Sequence, residues 1–212
     1  MRACYKQSMK NSIEAYLEAF KDYQPDGEIL KVYTYPSPVL KKIAEPVVSF
    51  DEELKTLCLN MLNTMYKAPG IGLAAPQVGE SIRLFVMDID YERDKVANFD
   101  GSIEHKLSKF NPLIFINPEI TKGNEEIIYQ EGCLSVPGIY EDVKRSSQIS
   151  LSFQDWNGDR HKLEATELLS VCIQHENDHL DGIVFLERLS LIKRNLLMKK
   201  FLKTKKTKKK NA

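Results

Sequence analysis

The feature that most constrains how this chain can fold is the stretch 168–182, Leu-Leu-Ser-Val-Cys-Ile-Gln-His-Glu-Asn-Asp-His-Leu-Asp-Gly. Leu168, Val171, Cys172, His175 and His179 recur at spacings of three and four, and Gly182 closes the run, which predicts a helix. On it, His175 and His179 leave the same face about one turn apart. One cation fits between them at about 2.0–2.1 Å from a nitrogen of each. Glu176, beside the first histidine, is poorly directed to be a ligand but near enough to touch a metal-bound water. His-Glu-x-x-His on a helix is a metal-site pattern with the Glu as general base. Catalytic sites of this type use three protein ligands and keep a position open for water. The rest of the chain must therefore bring a third ligand to this helix.

At 212 residues, with 42% hydrophobic and 28% charged residues, the chain reads as one soluble globular domain. No apolar run approaches the roughly 18–20 residues of a membrane span. The N-terminal region lacks the apolar core of a secretory signal, and Glu14, Glu18 and Asp22 argue against a transit peptide. The cytoplasm is the expected compartment, with an organelle left open. Formal net charge is zero, but eight of the 30 basic residues are lysines from Lys199 onward, leaving 22 basic against 30 acidic residues before them. An acidic body with a basic tail assigns any polyanion contact to the tail. The four cysteines, Cys4, Cys58, Cys133 and Cys172, read as intracellular thiols rather than a disulfide framework.

Along the chain, Asn11 is a candidate cap for a short amphipathic segment carrying Ile13, Tyr16, Leu17 and Phe20, ended by a turn at 24–27. A helix is expected over 51–66, with Ser49 and Glu52 at capping-box spacing and a stripe of Leu54, Leu57, Cys58, Met61, Leu62 and Met65. Residues 70–79 form a small, glycine-rich, apolar loop with one amide side chain, Gln77. Strands are expected at 82–89, 113–117 and 126–129, and a hairpin at 149–153 and 161–165 across Asn157-Gly158. The polar stretch 90–111, with His105, reads as a surface insertion. Trp156 and His161 are expected exposed or half-buried. A final helix is expected over 187–203, running into a frayed lysine-rich end.

Two cysteines compete to be the third ligand. Cys172 shares the face of His175 but lies seven residues from His179, about 10 Å along the axis at ~1.5 Å per residue, too far for one ion. It reads as a packed thiol. Cys133 lies on a glycine-flanked loop free to approach from elsewhere. The predicted metal site is Cys133, His175 and His179, with water as the fourth ligand.

Three stretches, Gly-Ile-Gly-Leu-Ala-Ala-Pro-Gln-Val-Gly at 70–79, Glu-Gly-Cys-Leu-Ser at 131–135 and Gln-His-Glu-Asn-Asp-His-Leu at 174–180, resemble the three motifs of the peptide deformylases, in the family's order. The resemblance implies an α+β fold, with mostly antiparallel β-sheets packed around a central metal-binding helix and a C-terminal helix. It places the catalytic domain at 29–198, between an N-terminal extension, 1–28, and a lysine-rich tail, 199–212. It implies a metal-dependent hydrolase that removes formyl from the N-terminal formyl-methionine of nascent polypeptides and releases formate. Glu176 would activate the metal-bound water, and the Gln77 amide and the backbone N–H of Leu134 would donate to the developing oxyanion. Glu131 would orient a ligand histidine. Ile71, Leu168 and Val171 match the family's pocket for methionine, and Gly70, Gly72 and Gly132 would admit an extended peptide backbone. Tyr140 stands where some members carry Arg. One divalent ion per chain is implied, Fe²⁺ physiologically, with Zn²⁺, Ni²⁺ or Co²⁺ also suited to the donor set. The C-terminal helix and basic tail are candidates for contact with the ribosome. A zinc endopeptidase shares His-Glu-x-x-His but takes its third ligand downstream, whereas Cys133 lies upstream.

Overall fold

The computed structural model describes residue 20, residues 22–97 and residues 102–210. The expected helix near Asn11 and the tip of the 90–111 insertion lie outside the described residues. The elements in chain order are α1 (Glu52–Lys67), β1 (Gly72–Ala74), the single turn α2 (Ala75–Val78), β2 (Leu84–Met87), β3 (Glu92–Ala97), β4 (Ile103–Ser108), β5 (Leu113–Lys122), β6 (Glu126–Gly132), β7 (Tyr140–Ser146), β8 (Gln148–Gln154), β9 (Arg160–Thr166), α3 (Glu167–Leu180) and α4 (Leu191–Lys210). Short 3₁₀ turns stand at Pro38–Lys41 and Phe185–Arg188.

The strands form a five-stranded sheet in the order β1-β2-β5-β8-β9 and two separate hairpins, β3–β4 and β6–β7. All named pairings are antiparallel. The fold is α+β, as expected. Helix α3 packs on β1, β2, β8 and β9 of the large sheet and on β7 of the second hairpin, so it is central. Every residue of β2 is buried, which means both of its faces are covered; α1 and α3 both pack on it. Strand β9 instead alternates, with His161, Leu163 and Ala165 inward and Arg160, Lys162 and Glu164 outward, because one face meets solvent.

Helix α1 buries Leu54, Cys58, Met61, Leu62 and Met65 of the stripe read from the sequence and leaves Leu57 half-buried. Its cap differs from expectation. Asp51 is the N-cap, its Oδ1 accepting from Leu54 N at 3.0 Å, and Ser49 acts one step back by donating to Asp51 Oδ2 at 2.7 Å. The 90–111 stretch contains the β3–β4 hairpin. Its side chains are exposed or half-buried, so no apolar alternation marked it. Strand β7 was likewise hidden by its charged residues. His161 is buried, correcting the expectation, and its Nε2 lies 2.8 Å from Asp155 Oδ2. Trp156 is half-buried against Phe20, ring centroids 4.8 Å apart, which docks the end of the N-terminal extension. The last helix begins at Leu191, after the 3₁₀ turn, and continues to Lys210 instead of fraying.

Two apolar clusters result. The larger joins α1, the five-stranded sheet and α3. The smaller gathers Leu40, Val136, Ile139, Val143, Val184, Phe185, Leu186 and Phe201, with Cys133 packed against it. The second cluster ties α4 to the loop that follows β6, and thus supports the Cys133 loop from behind.

Candidate metal centre and substrate cleft

Cys133 follows β6, and its loop turns sharply, Val136 N donating to Cys133 O at 2.9 Å. The loop carries the thiol to the face of α3. Cys133, His175 and His179 place one ligand atom each within 4.8 Å of one another. The Cys133 Sγ is 3.2 Å from His179 Nε2. His175 Nδ1 is 2.7 Å from Glu131 Oε2, which leaves its Nε2 for the cluster. One thiolate and two imidazoles within this span fit a single borderline divalent cation at about 2.0–2.3 Å from each. Burial alone would raise the Cys133 thiol, but His179 and His175 beside it hold it down at about 5, in the thiolate form a metal requires. His175 is raised well above its ordinary value; burial opposes this, and Cys133 and Glu131 override it. A proton therefore competes with a cation for that ring.

Glu176 is buried beside the trio, and its Oε2 has no partner among the described residues. Burial pushes its carboxyl up to about 7, with His175 and His179 pulling the other way. Such a carboxyl can both accept and return a proton near neutrality. Gln77, on α2, is 2% exposed. Its Oε1 accepts from Ala74 N at 2.8 Å, which turns the amide NH₂ toward Ser135 Oγ at 3.1 Å and Cys133 Sγ at 3.5 Å.

These groups open onto one cleft of about 390 Å³. Gly70, Ile71, Gly72, Gln77, Glu131, Gly132, Cys133, Leu134, Tyr140, Leu168, Val171, His175 and Glu176 all line it, so the residues singled out from the sequence converge; His179 stands behind it. Cys172 also lines the cleft, and burial pushes its thiol well above the ordinary range. It is not in the metal cluster. The glycines make room for protein as well as for ligand. A β-carbon at Gly72 would stand 2.8 Å from the Glu176 carboxyl carbon, and one at Gly132 would stand 2.6 Å from the Tyr140 ring.

A model of the family described as polypeptide deformylase matches residues 29–195. The chain belongs to the polypeptide deformylase family. It is 46% identical to the peptide deformylase of Novosphingobium aromaticivorans over 84% of this chain and 98% of that protein. Against the peptide deformylase of Zymomonas mobilis identity is 45%, over 84% and 96%. The crystal structure of a Legionella pneumophila peptide deformylase superposes with a TM-score of 0.73 at 39% identity, covering 85% of this chain and 97% of that one. That of Synechococcus elongatus peptide deformylase, in complex with actinonin, gives 0.69 at 37% identity, over 84% and 88%.

Behind this deformylase-family cleft the expected Glu131–His175 pair continues into a chain of charges, buried at Arg145 and Asp178 and reaching the surface at Arg188. Arg145, on β7, donates to both Glu131 oxygens, from Nε at 2.7 Å and Nη2 at 2.9 Å, and from Nη1 to Asp178 Oδ2 at 2.6 Å. Arg188 donates to both Asp178 oxygens, its Nε at 2.9 Å. The order is His175, Glu131, Arg145, Asp178, Arg188. The sequence reading included His175 and Glu131 but not Arg145, Asp178 or Arg188; for these three the signal it held was Asp178, three residues after His175 on α3.

Two outcomes follow from this geometry. Burial would raise both carboxyls, but Arg188 and Arg145 hold Asp178, and Arg145 and His175 hold Glu131, below their ordinary values of 3.8 and 4.5. Depressed carboxyls contribute stability that is present above those values and lost as pH falls through the lower folded ones. Asp178→Asn is expected to cost about 3–5 kcal/mol at neutral pH, and denaturant melts between about pH 5 and 3 should fall less steeply than in the parent. Gly72→Ala is expected to displace the Glu176 carboxylate and lower kcat by roughly 10²-fold with metal content unchanged, as read by turnover beside elemental analysis.

Proposed function

We propose that this protein is a metal-dependent hydrolase that removes the formyl group from the N-terminal formyl-methionine of nascent polypeptides, releasing formate. The observation that carries the reading is the Cys133, His175 and His179 trio set at one cleft with the Glu176 carboxyl, whose Oε2 has no partner among the described residues, and the Gln77 amide. Family membership supports the same reaction.

The trio would hold one divalent cation, with Fe²⁺ as the physiological ion and Zn²⁺, Ni²⁺ or Co²⁺ as substitutes its donors also suit. When bound, such an ion lowers the pKa of water and polarises a carbonyl oxygen. Glu176 takes the proton of the attacking water and delivers it to the leaving nitrogen, so the carbon–nitrogen bond breaks as formate and a free amine. The Gln77 NH₂ and the Leu134 backbone N–H donate to the oxygen as charge gathers on it. Glu131 fixes the His175 ring through Nδ1. Ile71, Leu168 and Val171 line the part of the cleft assigned to the unbranched methionine side chain. Gly70, Gly72 and Gly132 flank the path of the peptide backbone, and Tyr140, largely exposed at the rim, meets residues beyond the methionine.

Assay of formate release from formyl-Met-Ala-Ser by the Fe²⁺ protein tests the reading. Glu176→Gln should retain metal and lose on the order of 10²–10⁴ in kcat, the usual worth of a general acid–base group. Cys133→Ser should lose the metal itself. Normal turnover in either variant would defeat the assignment.

The working place is the cytoplasm, at the ribosome. Helix α4 exposes Leu191, Ile192 and Leu196, and the eight lysines from Lys199 onward follow. Ribosome binding should weaken with salt and be lost on deletion of residues 203–212, measured by co-sedimentation. No described helix is long and apolar enough to cross a membrane.

A further inference from the structure

The loop at Gly70, Ile71 and Gly72 is fixed by groups that lie outside the three motifs. Gly70 N donates to Met65 O at 2.9 Å, and Asp88 N donates to Ile71 O at 3.0 Å. Both are backbone bonds, open to any side chain. The Gly70 carbonyl is held differently: it accepts from the Tyr91 hydroxyl at 3.0 Å. That bond depends on one side chain.

Tyr91 stands at the root of the β3–β4 hairpin, and the root is rigid for physical reasons. Asp88 is fully buried, and its carboxylate accepts four bonds: from Tyr66 Oη at 2.7 Å, Asp90 N at 2.9 Å, Tyr91 N at 3.1 Å and Asn111 N at 2.7 Å. These donors come from both ends of the hairpin segment and from α1. The Tyr91 ring stands edge-on to Tyr66, centroids 5.0 Å apart and planes at 80°. Arg93 donates to Tyr66 O at 3.0 Å. The hydroxyl is thus presented by a packed ring on a pinned backbone.

The loop it holds has little room to move. A β-carbon on Gly70 would stand 2.8 Å from Leu134 Cδ1, so the loop lies directly against the chain following Cys133, and Gly72 lies against Glu176. The distance between these two stretches sets the width of the cleft that receives the peptide backbone.

We propose that Tyr91 is a positioning residue for substrate. Its hydroxyl fixes the Gly70 carbonyl, and thereby the height of Ile71 and Gly72 in the cleft, without touching the reacting atoms. The inference rests on the deformylase reading above. It makes the root of the β3–β4 hairpin part of the machinery that recognises the peptide beyond its formyl group.

Tyr91→Phe removes the hydroxyl and keeps the ring on Tyr66. In the metal-loaded full-length protein, KM for formyl-Met-Ala-Ser should rise roughly 3- to 10-fold, the worth of one hydrogen bond, with kcat within about twofold. Metal content should not change, and the melting temperature should fall by no more than about 4 °C, the cost of one hydrogen bond in a chain of this length. Formyl-methionine alone, which has no backbone beyond its first residue, should be affected less. Lys109→Ala, which removes the Glu92 ion pair at the same root, should leave KM unmoved. An unchanged KM in Tyr91→Phe overturns the proposal. So does a loss of kcat accompanied by metal loss or a larger fall in melting temperature, which would assign Tyr91 to stability alone. If the parent releases no formate, the deformylase reading falls and takes this inference with it; an active parent with an unmoved variant KM defeats this inference alone.

Discussion

A single bidentate arginine holds the working parts of this protein together. Arg145 reaches Glu131 on one side and Asp178 on the other, both nearly out of reach of solvent. Glu131 turns to His175, and Asp178 to Arg188. Glu131, Arg145, Asp178 and Arg188, from β6, β7, α3 and the following 3₁₀ turn, alternate in charge, and His175 is hydrogen-bonded to Glu131, so no buried member is unpaired. Placing ions in a low-dielectric interior is costly unless each is matched and hydrogen-bonded. What the arrangement fixes is geometry. The hairpin that leads into Cys133 is locked to the helix that carries the two histidines, and the His175 ring is set with Nε2 toward the cluster.

The site then depends on close approach. Glu176 sits where a side chain at residue 72 would be, and the Tyr140 ring lies over Gly132. The glycines read from the sequence as openings for a peptide backbone also solve an internal problem. They let β1 and β6 come within contact distance of the groups that do the chemistry. Gln77 shows the same economy: its carbonyl oxygen is bound to Ala74 N, so only the amide nitrogen faces the thiol.

The stripe of α1 and the β8–β9 hairpin were legible because burial on one side imposes a period on apolar residues; the helix around His175, buried nearly all round, was legible from its histidine spacing and closing glycine. The third ligand was legible by reach, since Cys172 is too far along its own helix to share an ion with His179. The β3–β4 hairpin and β7 were not legible. Their outward residues are charged, and their pairing partners rather than their composition make them strands. Arg145, Asp178, Arg188 and Tyr91 were missed for a related reason. Each acts through a partner far away in sequence, 14 residues for Arg145 and Glu131 and 21 for Tyr91 and Gly70, and nothing local marks such a pair. Likewise, His161 looked like a hairpin-end residue until Asp155 gave it a buried partner.

The Asp88 carboxylate has a consequence for how such a chain can change over time. By binding the amides of residues 90, 91 and 111, it closes the neck of everything between them. Chain beyond that neck can lengthen, shorten or change composition at the modest entropic cost of loop closure, while the body below is undisturbed. The hairpin is therefore a graft point: distal residues are free to diversify, whereas Asp88 and the residues that meet it are not.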